Sequence, residues 1–150
     1  MELPTFESID FLNKFVRIRK SLAKPLKVEF IKSFSNTESY RYQRYLNESR
    51  RPVWSAMHHD WKLVSKEDLV NSPPFKGDVF VGWDYVDYYV DMYSLGKYYL
   101  FQMSFKKFLD HYISFPQGTY VFDSGLKYAL VSTALEFHDY EQNMRLYINR

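Results

Sequence analysis

Four histidines and the carboxylates near them are the side chains best suited to acid–base or metal chemistry. In "MHHD", residues 57–60, His58 and His59 are adjacent, so a strand would send them to opposite faces and a helix would set them about 100° apart. Chelation would need one of them to meet His111, His138 or Asp60, and no H-x-x-x-H spacing supports it. In "FHDYE", residues 137–141, His138 lies beside Asp139 and Glu141, a general-base pattern that is also ordinary turn composition. Asp123 of "FDSG" precedes Ser124-Gly125 and is expected to hold its own backbone in an Asx turn. There is no G-x-S-x-G elbow, the five glycines form no phosphate loop, and no cysteine is present. The expectation is a chain that is not an enzyme and takes no metal or cofactor.

Recognition chemistry is better represented. In "DYVDYYVDMY", residues 84–93, an extended backbone would put Val86, Tyr88, Val90 and Met92 on a core side. Tyr85, Tyr89 and Tyr93 would then share the wet side with Asp87 and Asp91, and Asp84 lies just ahead of them. Rigid amphipathic rings beside carboxylates suit charge-steered docking onto a basic partner. Asp84, Tyr85, Asp87, Tyr89, Asp91 and Tyr93 are therefore the predicted partner-binding residues. The alternative lies in residues 11–51, where eleven Lys/Arg stand against three acids. Arg17, Arg19, Lys20, Arg41, Arg44, Arg50 and Arg51, interleaved with Tyr40, Tyr42 and Tyr45, would suit phosphate contacts and base stacking in a nucleic-acid-binding module.

These residues must be positioned by local elements. Phe11, Leu12, Phe15, Val16 and Ile18 fall at helical spacings with bases after them, which predicts a helix over about 7–22 closed by Pro25. "LKVEFIKSF" alternates as a strand, although Ile31 and Phe34 also fit a helix. Residues 35–49 carry a cap candidate in Asn36 or Thr37, but Tyr40, Tyr42 and Tyr45 do not decide between the helical and the strand period. "WKLVS" reads as a short strand, and Ser65 with Asp68 as a capping box opening a short helix that Pro73-Pro74 ends.

"DVFVGW", residues 85–93 and "KYYLFQM" read as strands, the last two joined by the turn "SLGK". Ser104 caps a helix whose apolar stripe is Phe105, Phe108, Leu109, Tyr112 and Ile113. "TYVFDSGLKYALVSTALEF" reads as a hairpin, "HDYEQN" as a turn and "MRLYIN" as the last strand. The expected fold is α+β: an antiparallel sheet of about five strands with helices packed mainly on one face.

At 150 residues, with 46% hydrophobic and 25% charged, the chain is expected to form a single domain over 1–150. Its aromatic share of 20% is high and is mostly Tyr and Phe. "MELPTFESIDFLNKF" does not read as a signal peptide, and no run reaches the length of a membrane span, so a cytoplasmic protein without membrane contact is expected.

Within "PQGTYVFDSGLKYALVSTALEF", Tyr120, Phe122-Asp123, Tyr128, Leu130-Val131, Thr133 and Glu136 follow an order that resembles the C-terminal hairpin of small bacterial immunity-type proteins. "YYLFQMSFKKFLDHYISFP" resembles the strand and helix that precede it there. The resemblance spans residues 97–136. It implies a non-enzymatic protein that binds one toxin domain and blocks its active site, often the basic cleft of a nuclease.

Overall fold

The computed structural model describes residues 14–47, 56–57, 60–83, 100–112, 115, 118–132 and 143–149. Seven strands are present among the described residues: β1 (Val16–Ile18), β2 (Trp61–Ser65), β3 (Asp78–Gly82), β4 (Leu100–Ser104), β5 (Tyr120–Phe122), β6 (Tyr128–Val131) and β7 (Asn143–Ile148). They form one sheet in the order β1-β4-β3-β5-β6-β7-β2, antiparallel at every pairing. Among the described residues four helices accompany it: α1 (Lys20–Phe34), α2 (Tyr40–Asn47), α3 (Lys66–Asn71) and α4 (Phe105–His111). The fold is α+β, with seven strands where about five were expected. No described helix is long and apolar enough to cross a membrane.

Local signals and structure agree in the middle and C-terminal regions. Ser65 Oγ accepts the Asp68 N–H at 3.1 Å while Asp68 Oδ2 accepts the Ser65 N–H at 2.9 Å, a reciprocal cap that starts α3 where β2 ends. The paired bonds hold the Asp68 carboxyl below its ordinary value, the backbone bond from Ser65 contributing most. Ser104 Oγ caps α4 by accepting the Lys107 N–H at 3.1 Å. Asp123 Oδ1 accepts the Gly125 N–H at 3.1 Å in the turn between β5 and β6, the predicted Asx role. The left-handed residue of that turn is Leu126, at φ 56°, and not the glycine before it.

The N-terminal region differs. Residues 16–18 are extended and paired with β4, Val16 opposite Gln102, in place of the predicted helix through residue 22. β-Branched Val16 and Ile18 fit an edge strand once a partner strand is present, and that partner lies far along the chain. The helix starts at Lys20 and runs through Pro25, which stands inside α1 and does not close a segment before it. In "LKVEFIKSF" the helical period prevails over the alternation, because Ala23, Lys27, Phe30, Ile31 and Phe34 all become buried along one stripe. Residues 40–47 are helical as well.

Strand residues alternate between two apolar clusters. Leu100, Tyr120, Phe122, Ala129, Val131 and Tyr147 gather with Ala23, Phe30, Ile31 and Phe34 of α1 and Tyr45 of α2. Val79, Val81, Phe101, Met103, Val121, Leu130, Met144 and Leu146 gather with Leu69 of α3 and Phe105, Phe108 and Leu109 of α4. Helix-borne apolar residues thus enter both clusters. Burial on both faces explains the nearly continuous apolar runs "YVF" and "YALV". It also uses much of the unusual aromatic content. Phe30 stacks on Phe122 at 4.3 Å with 2° between the ring planes, and Trp83 stacks on Phe101 at 5.6 Å.

One point of this packing tolerates no extra atom. A Cβ at Gly82 would lie 2.7 Å from Tyr120 Oη and 2.8 Å from Leu100 Cδ2, so the absence of a side chain there admits the Tyr120 phenol. Lys27, fully buried on α1, brings its Nζ to 5.2 Å from the centroid of the same ring.

Candidate functional site

One face of the sheet, the one that carries Tyr147, is only partly covered at β2. On that face Trp61 and Leu63 alternate outward and keep 37% and 52% of their surface in solvent, while Val64 on the opposite face is buried. Trp61 stands opposite Tyr147 and Leu63 opposite Arg145 in the ladder with β7. The Arg145 guanidinium carbon lies 4.2 Å from the Trp61 ring centroid, close enough for cation–π attraction, and Arg145 Nη1 donates to Tyr147 Oη at 3.4 Å. Trp61 and Tyr147 rings are 6.4 Å apart.

The charge of α2 reaches the same place. Burial pushes the Tyr147 phenol above its ordinary value, and the hydrogen bond from Arg145 and the charges of Arg145 and Arg41 oppose that shift. Arg41 therefore lies within electrostatic reach of Tyr147. Arg44 sits 5.5 Å from the ring centroid of Tyr40, which is 74% exposed. The result is a surface of Trp61 and Leu63 beside Arg145, with Arg41 in electrostatic reach of Tyr147. Exposed rings and an aliphatic side chain supply contact area, and the guanidinium over Trp61 places positive charge beside them.

The backbone of β2 adds donors and acceptors. The Ile148 N–H donates to the Asp60 carbonyl at 3.0 Å, so residue 60 turns its backbone polar groups toward β7. Antiparallel alternation then directs the groups of Lys62 and Val64 toward β7, and those of Trp61 and Leu63 away from it. Among the described residues, β2 is the last strand on that side of the sheet.

The residues singled out from sequence are placed as follows. Asp84, Tyr85, Asp87, Tyr89, Asp91 and Tyr93 lie outside the described residues, as do the "SLGK" and "HDYEQN" turns. So do His58, His59, His138, Asp139, Glu141, Arg50 and Arg51. His111 ends α4 with its ring 5.4 Å from that of Phe15, edge to face. Asp60 is exposed just ahead of β2, and no group of three or more His, Cys, Asp or Glu that could hold a metal occurs among the described residues.

The basic third divides among β1, α1 and α2 rather than forming one stripe. Lys20, Lys24 and Lys32 are exposed or half-buried on α1, and Lys27 points inward. Of the described members of that set, Arg41 acts electrostatically on Tyr147. Sequence reasoning missed Trp61, Leu63, Arg145 and Tyr147 as one group. Each pair alternates visibly within its own strand, but nothing local says that the two strands are neighbours.

No family model matches this chain, and neither the curated proteins nor the solved structures give a match.

Proposed function

We propose that this protein works by binding another protein and not by catalysis. The observation that carries the reading is the exposed Trp61–Leu63 pair beside Arg145, whose guanidinium stacks on Trp61 at 4.2 Å. Trp and Arg are the side chains that most often anchor protein interfaces, because each combines a large contact area with directional polar groups. A solvent-exposed tryptophan on an edge strand has no role in either apolar cluster. The resemblance of residues 97–136 to immunity-type proteins makes a bacterial toxin domain the partner to test first, with the chain acting as its inhibitor in the cytoplasm.

Co-expression tests this directly. A toxin domain encoded beside this gene should arrest growth alone and lose its effect when this chain is present. Arg145→Glu should weaken that protection while leaving the thermal midpoint nearly unchanged. On the same reading, Asp87→Lys with Asp91→Lys removes the acidic arm offered to a basic cleft and abolishes binding. Protection undiminished in both variants would remove the proposal. A nucleic-acid-binding module built on Arg41, Arg44 and Tyr40 instead predicts affinity for generic single strands that falls steeply with salt.

A further inference from the structure

We infer that two copies of this chain pair edge to edge through β2, antiparallel around a two-fold axis at Leu63, so that the exposed apolar surface is completed across that axis. The inference goes beyond the reading above, because the pairing uses backbone groups and leaves the side-chain face of Trp61 and Leu63 open to a different protein. The N–H and C=O groups of both residues point away from β7, and among the described residues no strand takes them. An edge in this state invites a further strand, and residues 61–65 carry neither proline nor bulge to discourage one.

The register follows from which groups remain. The Ser65 N–H is taken by Asp68 Oδ2, but Ser65 is extended at φ −91° and ψ 168°, so its carbonyl keeps the outward direction. Centring the axis on Leu63 sets Leu63 against Leu63, and Trp61 against Ser65 of the other copy. The two Leu63 residues then exchange N–H···O=C bonds, and each Trp61 N–H donates to a Ser65 carbonyl. On the open face the exposed side chains run Trp61, Leu63, Leu63, Trp61, a longer apolar strip than one copy offers. A two-fold contact of this kind closes at two copies.

Charge makes a second copy the occupant. The same register places the exposed Lys62 opposite Val64 of the other copy, whose strand leads directly into the first turn of α3 with its acids Glu67 and Asp68. Lys62 and Glu67 thus come together twice, once on each side of the axis. An axis moved by one residue, to Lys62, would instead set the two lysines face to face. Arg145, opposite Leu63 on β7, stands three strand spacings from its mate, about 14 Å, a distance at which salt screens most of the repulsion.

The test is the mass of the full chain by sedimentation velocity over a wide range of concentration, with amide exchange read at both ends of that range. A monomer–dimer equilibrium is expected, with the Trp61 and Leu63 amides slowing as the dimer forms. Lys62→Glu should raise the dimer dissociation constant at least about tenfold, and Lys62→Glu with Glu67→Lys should return it to within about threefold of the parent. Leu63→Pro should abolish the dimer. It removes one outward N–H and leaves the bonds of Lys62 and Val64 to β7 untouched, a position where an edge strand tolerates proline.

Monomers at every concentration overturn the inference and leave β2 to a strand of a different protein. A dimer that forms equally well in Lys62→Glu, or in Leu63→Pro with an unchanged circular dichroism spectrum, has its interface elsewhere and overturns it as well. So does growth past two copies, which a two-fold contact does not allow. Each of these results leaves the binding of a different protein to be judged by co-expression.

Discussion

Adding one carbon at Gly82 should destabilise this protein, whereas adding the same carbon at Gly77 should not. At Gly82 the new Cβ would meet Tyr120 Oη at 2.7 Å, Leu100 Cδ2 at 2.8 Å and Tyr120 Cζ at 2.9 Å. Neither neighbour can swing away into solvent. Tyr120 and Leu100 are fully buried, and the Tyr120 ring is stacked by Phe30 at 5.3 Å. Overpacking of this kind costs about 1–3 kcal/mol, partly offset by the roughly 0.5–1 kcal/mol that alanine gains over glycine within a strand. The net expectation is about 1–2 kcal/mol of destabilisation. With a urea slope of about 2 kcal/mol/M, Gly82→Ala lowers the unfolding midpoint by roughly 0.5–1 M.

At Gly77 nothing lies within 4 Å of the added atom, so Gly77→Ala should be neutral or stabilising by up to about 1 kcal/mol, through the unfolded chain. Tyr120→Phe should cost less in the Gly82→Ala background than in the parent, since it removes the nearest clashing atom. A Gly82→Ala midpoint equal to that of the parent would refute the claim that β3 and β5 are held at this spacing.

Other consequences follow from the same geometry. Phe30→Ala removes the ring stacked on Phe122 and Tyr120 and should cost about 3–5 kcal/mol in chemical denaturation, a large part of a typical domain's stability. Ser65→Ala should cost about 1 kcal/mol by removing the α3 cap. Because the Asp68 carboxyl is held below its ordinary value of 3.8, its contribution is fully present above that pH and is lost as pH falls through the lower folded-state value. Acid titration of Asp68→Asn, which lacks this ionisation, should therefore show a shallower loss of stability below pH 3.8. The Tyr147 phenol is raised by burial, so its contribution is complete below its ordinary value of 10.0 and is lost as pH rises through the folded-state value. Arg145→Gln removes an opposing charge and should move this ionisation higher still, seen as a difference in ultraviolet absorbance against Tyr147→Phe.

The elements legible in the sequence are those whose determinants are local. Ser65 and Asp68 are three residues apart and specify the start of α3 by themselves. Ser104 does the same for α4, and Asp123-Ser124-Gly125 joins two apolar runs close enough in sequence to pair as a hairpin. β1 was illegible because Phe15, Val16 and Ile18 satisfy a helical period locally, while their strand state depends on β4. α1 was obscured by Pro25 and by Leu26, Val28 and Phe30, which alternate by coincidence within a helical stripe. The β2 patch was the least legible feature. Trp61 and Leu63 meet Arg145 and Tyr147 only through the pairing of β2 with β7, and the charge of Arg41 reaches Tyr147 from a third segment.

Amide hydrogen exchange along β2 in the free protein, dilute enough to be monomeric, bears most directly on the proposed docking edge. Slow exchange is expected at Lys62 and Val64, whose N–H groups point into the sheet, and fast exchange at Trp61 and Leu63. Protection of Trp61 and Leu63 equal to that of their neighbours before any partner is present would contradict an open edge at β2.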